Sequence, residues 1–214
     1  ENPVHTPNKF FGASWIELGG NFSKGRQLLT YHGLYGPDFN KLQLFVNDAE
    51  REKGVISNAD IDIFYWRQIS QFWMIKGGAN YFYKPSKTPY WQPGMGIEGL
   101  APYFITNNLR FYYHKGSVKA DIELGRNTQL TNNLFLRTRF RAIGATKTIT
   151  KDQIGNSLNE TQYVVSPNYR LMPGLAIFME YEYSKYHGTL KNIRHNLGKP
   201  LVENSLFFGL SFIV

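Results

Sequence analysis

The chain has no cysteine among its 214 residues, which excludes disulfides and thiolate metal sites. It has no apolar run near the roughly 18 residues that a membrane-spanning helix needs. It shows no signal peptide: it opens on the polar stretch ENPVHTPNK, as a mature or trimmed chain would, so export stays open. Lys and Arg outnumber Asp and Glu by 24 to 16, yet they form no cluster. The formal charge of +8 is spread between apolar residues and does not describe a nucleic-acid surface. The four methionines include no Met-x-x-Met pair, so no methionine cluster is expected.

What the chain does have is a period of two. KLQLFVN sets Leu42, Leu44 and Val46 against Lys41, Gln43, Phe45 and Asn47. NADIDIFYW sets Ile61, Ile63 and Tyr65 against Asp60, Asp62 and Phe64. Val118, Ala120, Ile122 and Leu124 oppose Lys119, Asp121 and Glu123, and Leu136, Thr138, Phe140 and Ala142 oppose Arg137, Arg139 and Arg141. Met179, Tyr181 and Tyr183 oppose Glu180, Glu182 and Ser184. Such alternation marks strands with one apolar and one polar face.

No segment reads as a helix. The pattern predicts twelve strands, over 12–22, 27–36, 41–49, 57–68, 72–84, 91–104, 108–115, 117–128, 132–145, 160–169, 174–187 and 203–214. One set of connections is tight (GPDFN, RQISQ, FITNN, QLTNN, RLMPG). The other tends to be long (DAEREKGVI, PSKTPY, TKTITKDQIGNSLN, GTLKNIRHNLGKPLV). A soluble sandwich also alternates, but a transmembrane barrel adds aromatic girdles, short periplasmic turns and longer outer loops. Trp15, Tyr35, Trp66, Phe72, Trp73, Tyr81, Tyr83, Tyr90, Trp91 and Tyr103 fall near strand ends, as girdle residues would. The polar faces are rich in acids and bases, as a closed lumen with cross-strand ion pairs would be. The last segment, FFGLSFIV, puts Leu206, Phe208, Leu210, Phe212 and Val214 on one face, like the terminal strand read by outer-membrane assembly machinery.

The stretch GMGIEGLAPYF then makes sense. Ile97, Gly99, Ala101 and Tyr103 would face lipid, Glu98 the lumen, and Pro102 would end the pairing at the rim. Residues 11–214 are expected to form one all-β antiparallel barrel of about twelve strands, with 1–10 a flexible amino-terminal tail. Both ends would be periplasmic.

Several segments carry a resemblance. GIEGLAPYF, TNNLRFYYHKG and QLTNNLFLRTRFRA, with GLYGPDFNKLQL before them and RLMPGLAIFMEYEYSK after, resemble the copper resistance protein B family of bacterial outer membranes. Their order and spacing run from about residue 15 to the end. The resemblance implies an outer-membrane barrel tied to copper tolerance, with copper as the bound or exported ion. Periplasmic copper-handling proteins are its possible partners, and outer-membrane lipid and lipopolysaccharide its surroundings. Family precursors often carry a Met- and His-rich region before the barrel, so a copper-loading segment could lie outside this chain.

Copper(I) prefers thioether, while copper(II) suits imidazole, carboxylate and amide. Four residues are candidate metal ligands: His32, Glu98, Glu17 and Met74. His32 shares a face with Thr30 and Leu34, and a nearby carboxylate such as Glu17 would assist it. The plainer reading is a hydrogen-bonded lumen histidine. Met74 has lumen parity, with packing as its plainer reading. Met95 and Met179 have lipid parity, and Met172 sits in a turn. Glu98 and Glu17 stand out because their basic partners are least obvious. His114 is expected solvated near the outer mouth beside Lys115, His187 and His195 in a basic outer loop, and His5 in the tail.

The other lumen charges form a network: Asp60, Asp62, Lys76, Arg110, Asp121, Glu123, Arg137, Arg139, Arg141, Glu180 and Glu182, joined by Lys41 and Lys119. Chain order places Arg137, Arg139 and Arg141 beside Asp121 and Glu123, and Asp60 and Asp62 beside Lys76. Such partners would neutralise one another and fill the interior. The rival reading is a polar path for ions. No enzyme is expected: an outer-membrane phospholipase would need Ser, His and Asn on its lipid-facing surface, and no serine pairs with a histidine that way. Two functions remain: a copper resistance protein that binds copper or assists its export or sequestration, or a generic small pore or structural barrel without a copper site.

Overall fold

A computed structural model describes residues 11–21, 24–37, 39–83 and 88–214. The expected tail, with His5, lies outside the described residues. Twelve strands follow one another: β1 Phe11–Asn21, β2 Arg26–Gly36, β3 Asn40–Glu52, β4 Val55–Gln68, β5 Trp73–Tyr83 and β6 Tyr90–Ala101 make the first half. β7 Ile105–His114, β8 Ser117–Gln129, β9 Leu134–Ala145, β10 Ser157–Met172, β11 Leu175–Tyr186 and β12 Val202–Ile213 make the second. Each pairs antiparallel with the next, and β12 returns to β1, so the sheet closes into a barrel. Closure leaves no strand edge, which is what allows a sheet to sit in hydrocarbon.

The seam runs from Trp15↔Ile213 to Gly20↔Phe208, with Gly19 opposite Gly209. A Cβ on Gly209 would stand 1.9 Å from the Leu18 carbonyl oxygen, so only glycine lets these two strands meet.

The two faces divide as the alternation predicts. Ile63, Tyr65, Ile97, Ile122, Met179, Leu206, Phe208 and Leu210 are exposed on the outer wall. Asp60, Asp62, Lys76, Arg110, Asp121 and Glu180 are buried inside. An apolar outer wall around a charged interior is the inverse of a soluble protein, and it suits lipid outside. Gly99 belongs to the outer face: a Cβ there would lie 2.4 Å from the Trp73 indole, which covers it. Pairing stops at Ala101, and Pro102–Phe104 form a 3₁₀ turn with Tyr103 exposed at the rim. The expected strand 91–104 is therefore shorter by that turn.

At one end every connection is tight; the other end carries the two longest, 146–156 and 187–201, beside two-residue turns. Two expected features are corrected. The connection DAEREKGVI is not a long loop: β3 and β4 run into a two-residue turn at Lys53 and Gly54, with φ of 48° and 86°. Lys115 and Gly116 repeat this with 48° and 79°. Positive φ at both central residues is the hairpin turn that matches strand twist, and glycine takes the second place without strain. The longest connection, in turn, is not all loop. It holds a helix, α1 Gly188–Asn196, with Leu190 and Arg194 buried. Two buried positions one turn apart are too few to show as a helical period.

Three of the expected girdle residues point inward instead. Trp15, Trp66 and Tyr90 share the lumen parity of Glu17, Asp62 and Gln92. Inside they meet cations or rings: Arg137 stands 5.0 Å from the Trp15 ring and Lys41 5.4 Å from Trp66.

Candidate functional site

The lumen is layered. Its middle is a packed septum. Arg110 on β7 is fully buried and donates to Asp62 on β4 at 3.0 Å and to Asp121 on β8 at 2.7 Å. Arg141 on β9 donates to the two oxygens of Asp121 at 2.9 and 2.5 Å and lies 3.7 Å from Asp60. The Tyr112 hydroxyl donates to Asp62 at 2.9 Å, and the Asn80 amide donates to Asp60 at 2.5 Å and Asp62 at 2.7 Å. Lys119 stands over Tyr112 and Phe82. Three acids thus meet three bases, and the rings of Phe45, Phe64 and Tyr112 fill the remaining space. Buried ions held by several hydrogen bonds each are costly to separate, so this layer resists opening.

Partners differ from those that chain order suggested. Asp60 and Asp62 turn to Asn80, Arg110, Tyr112 and Arg141 rather than to Lys76. Lys76 bonds Glu98 at 3.1 Å. Of the three arginines on β9, Arg141 binds Asp121, Arg139 stands 4.0 Å from Glu123, and Arg137 leaves this pair altogether. Arg137 reaches Glu17 at 2.5 and 3.1 Å and Glu180 at 2.7 Å. Glu98 and Glu17, whose basic partners are least obvious in the sequence, both have one.

Below the septum, toward the tight turns, lies a chamber of about 480 Å³. All four candidate ligands line it: His32, Glu98, Glu17 and Met74. The structure therefore gathers residues from β1, β2, β5 and β6 that the sequence could only place on one face. His32 does not bond Glu17. Its Nε2 meets the Gln43 amide at 2.8 Å, and the Phe45 ring packs edge-on against the imidazole at 5.3 Å. Gln43 also donates to Glu98 at 3.1 Å. Gln43 is the residue that the sequence reading passed over. Its signal was its lumen parity beside Lys41, and only its two bonds distinguish it.

Gln43 is almost fully buried, and its Oε1 has no hydrogen-bond partner. A buried carbonyl left so costs about 1–3 kcal/mol. Asn108, opposite Glu98 on β7 and lining the same chamber, has an unpartnered Oδ1 as well. Among the described residues, no three His, Asp or Glu side chains come together to hold a metal ion unaided. The chamber does offer imidazole, carboxylate, amide oxygen and thioether, and this mixed set fits copper.

Above the septum is a smaller polar vestibule of about 260 Å³, lined in part by Glu182, Glu50 and Glu203. Arg26 bonds Glu50 there, and Arg194 bonds Glu203 at 2.7 Å while its guanidinium stacks 3.6 Å from the Tyr186 ring. His114, expected solvated, is buried against the 146–156 connection. It stacks on Tyr90 at 3.7 Å and bonds Asp152 at 2.9 Å. Lys115 bonds the same carboxylate at 3.1 Å. Burial pushes the Asp152 carboxyl up, but the hydrogen bonds from His114 and Lys115 outweigh it and hold it below its ordinary value. His187 bonds Thr161 at 2.8 Å, and His195 lies exposed on α1. Met95, Met172 and Met179 are exposed on the outer wall or turn.

The two chambers share no lining residue. The lower one continues into a second cavity that it shares with Trp15, His32 and Arg137 and that reaches Gly174 and Ile213 at the short-turn rim.

The family model for copper resistance protein B precursor (CopB) matches residues 14–213. In fold, the chain is similar to the NanC porin, with a TM-score of 0.60, 12% identity, and coverage of 93% of this chain and 98% of that one. It is also similar to a structure described as "Unveiling the Mechanism Behind the in-meso Crystallization of Membrane Proteins", with a TM-score of 0.53, 13% identity, and coverage of 95% and 83%. At these identities the likeness concerns the barrel alone. No curated protein sequence matches the chain.

Proposed function

The chain belongs to the copper resistance protein B family of outer-membrane barrels, and from that premise we propose that it binds copper in the lower lumen chamber. The observation that carries this reading is the convergence of His32, Glu98, Glu17 and Met74 on one chamber open toward the short-turn rim. In this reading copper arrives from the periplasmic side, delivered free or by a periplasmic copper-handling protein. His32 supplies the nitrogen, Glu98 the anionic oxygen, and Met74 a soft donor at the chamber edge. Glu17 tunes the field while Arg137 holds it. The septum above makes sequestration a better description than free diffusion, and export would require that layer to part.

A second reading has an observation of its own. Glu98 and Glu17 are already engaged by Lys76 and Arg137, so the network serves as structural fill. The barrel would then be an anchor or a small pore with no copper site.

One experiment separates the two. Copper(I) and copper(II) are titrated into the purified chain in detergent, and copper efflux is followed from loaded proteoliposomes, with His32→Ala and Glu98→Gln beside wild type. Saturable binding that falls in both variants supports the chamber. Absence of binding, with flux no greater than that of empty liposomes, supports the structural barrel.

A further inference from the structure

We propose that Gln43 selects copper(II) in the lower chamber by turning its amide, exchanging the N–H that now holds His32 for a carbonyl oxygen that binds the ion. The inference rests on the reading of that chamber as a copper site and names a residue and an oxidation state that the reading leaves open.

The argument begins with hydrogen-bond supply. A primary amide has two N–H donors and one carbonyl acceptor. Gln43 spends its nitrogen on two neighbours, His32 Nε2 at 2.8 Å and Glu98 Oε2 at 3.1 Å. Its oxygen is buried and has no partner. Because an amide nitrogen can only donate, His32 Nε2 accepts here and carries the lone pair. The lone pair that could bind a metal is thus the one capped by Gln43.

An ion that takes this lone pair must displace the amide N–H. A half turn about the terminal side-chain bond of Gln43 does so and puts Oε1 where Nε2 was. That torsion is broad and nearly two-fold, so neither orientation needs a strained rotamer. With the ion bound, the half turn gives the orphan carbonyl a partner, frees Glu98 from one hydrogen bond and adds an oxygen ligand beside the imidazole; the amide N–H pair moves to where the carbonyl stood, so the ion's bond to Oε1 must outweigh the two donor bonds given up. The Phe45 ring, edge-on to His32, keeps the imidazole plane fixed meanwhile.

A second orphan acceptor supports the same chemistry. Asn108 faces Glu98 across the β6–β7 pair, lines the chamber, and has an unpartnered Oδ1. With it the donors are one imidazole, one carboxylate and two amide oxygens, against the single thioether of Met74. Such a set suits copper(II), whereas copper(I) favours sulfur.

The test uses the purified chain in detergent, with copper(II) and with silver(I) as a redox-inert stand-in for copper(I). Affinity is read by calorimetry, and the copper(II) ligand field by electron paramagnetic resonance. Gln43→Leu is expected to weaken copper(II) binding by about tenfold or more, the scale seen when residues supporting a metal site are lost. It should change the copper(II) spectrum and leave silver(I) binding as in wild type. Gln43→Glu, which keeps an oxygen and adds charge, is expected to bind copper(II) more tightly than wild type. If Gln43→Leu binds copper(II) with wild-type affinity and spectrum while His32→Ala abolishes binding, the role of Gln43 is overturned and the chamber stands. If wild type binds no copper(II), or His32→Ala binds as well as wild type, both fall. Should Gln43→Leu fail to give a heat-modifiable barrel on gels, Gln43→Glu decides: unchanged copper(II) affinity there overturns the proposal.

Discussion

Arg137 holds Glu17 with both ends of its guanidinium, Nη1 to Oε1 at 2.5 Å and Nη2 to Oε2 at 3.1 Å, across the lumen from β9 to β1. The same Nη2 reaches Glu180 on β11 at 2.7 Å. Three strands that lie apart around the wall are thereby tied at one point. A planar fork matched to a carboxylate gives this bond direction as well as charge.

Arg137→Ala would leave two buried carboxylates facing one another. Removing one member of a buried ionic group costs about 3–5 kcal/mol, because the others remain charged and unsolvated. The expected loss is therefore of that size, read from urea unfolding in lipid vesicles by tryptophan fluorescence. Glu180→Gln should cost less, since Glu17 still neutralises Arg137. Equal losses for the two variants would show that the triad does not act as drawn.

Gly209→Ala is expected to disturb barrel closure rather than ligand binding. The added methyl would overlap the Leu18 carbonyl, which is backbone and cannot swing aside. Overpacking of this sort costs about 1–3 kcal/mol. Loss of the compact, heat-modifiable band at a lower temperature than in wild type would record it. Unchanged mobility would mean that the seam can widen.

The period-two pattern exposed the barrel because face and parity are the same fact in a strand. Ile122 outside and Asp121 inside follow from alternation alone, and twelve alternating runs with tight turns between them close naturally. The partners inside did not follow. Parity puts Glu17 and Arg137 in the lumen but says nothing of who stands opposite whom, since that depends on strand tilt and shear. Chain order puts Lys76 beside the acids of the strand before it, yet its long stem reaches Glu98 on the strand after. Position near strand ends suggests the girdle for Trp15, Trp66 and Tyr90, although their parity points inward. Gln43 was unremarkable in sequence, because an amide is conspicuous only when one of its atoms lacks a partner.

The outer loop should respond to acid. Asp152 titrates below its ordinary value because His114 and Lys115 bond its charged form, with Tyr90 stacked alongside. A carboxyl depressed in the folded state stabilises that state fully above the unfolded value of about 3.9 and loses the contribution as pH falls through the folded value. Protection of the Ile149 and Ile154 amides, taken relative to the intrinsic exchange rate at each pH, is thus expected to be steady from neutral pH down to about 4 and to fall below it. Asp152→Asn should show that lowered protection already at neutral pH. A variant that exchanges like wild type throughout would remove Asp152 as the latch of this loop.

The septum makes a prediction about conduction. Arg110, Asp62, Asp121 and Tyr112 occupy the centre, and the cavities on either side share no wall. Wild-type barrels in planar bilayers are expected to carry no steady ionic current. Single removal of Arg110 would take from Asp62 its basic partner inside the wall and confuse stability with opening. The cleaner variant removes a pair together, Arg110→Ser with Asp62→Ser, and leaves Asp121 with Arg141. Both replacements are short and polar, so water can enter where the guanidinium stood. Step-like conductance in the double variant and none in wild type would locate the barrier in this layer. Equal step-like conductance in both would mean that ions already pass, and the reading of the lower chamber as a receptacle closed by the septum would fail with it.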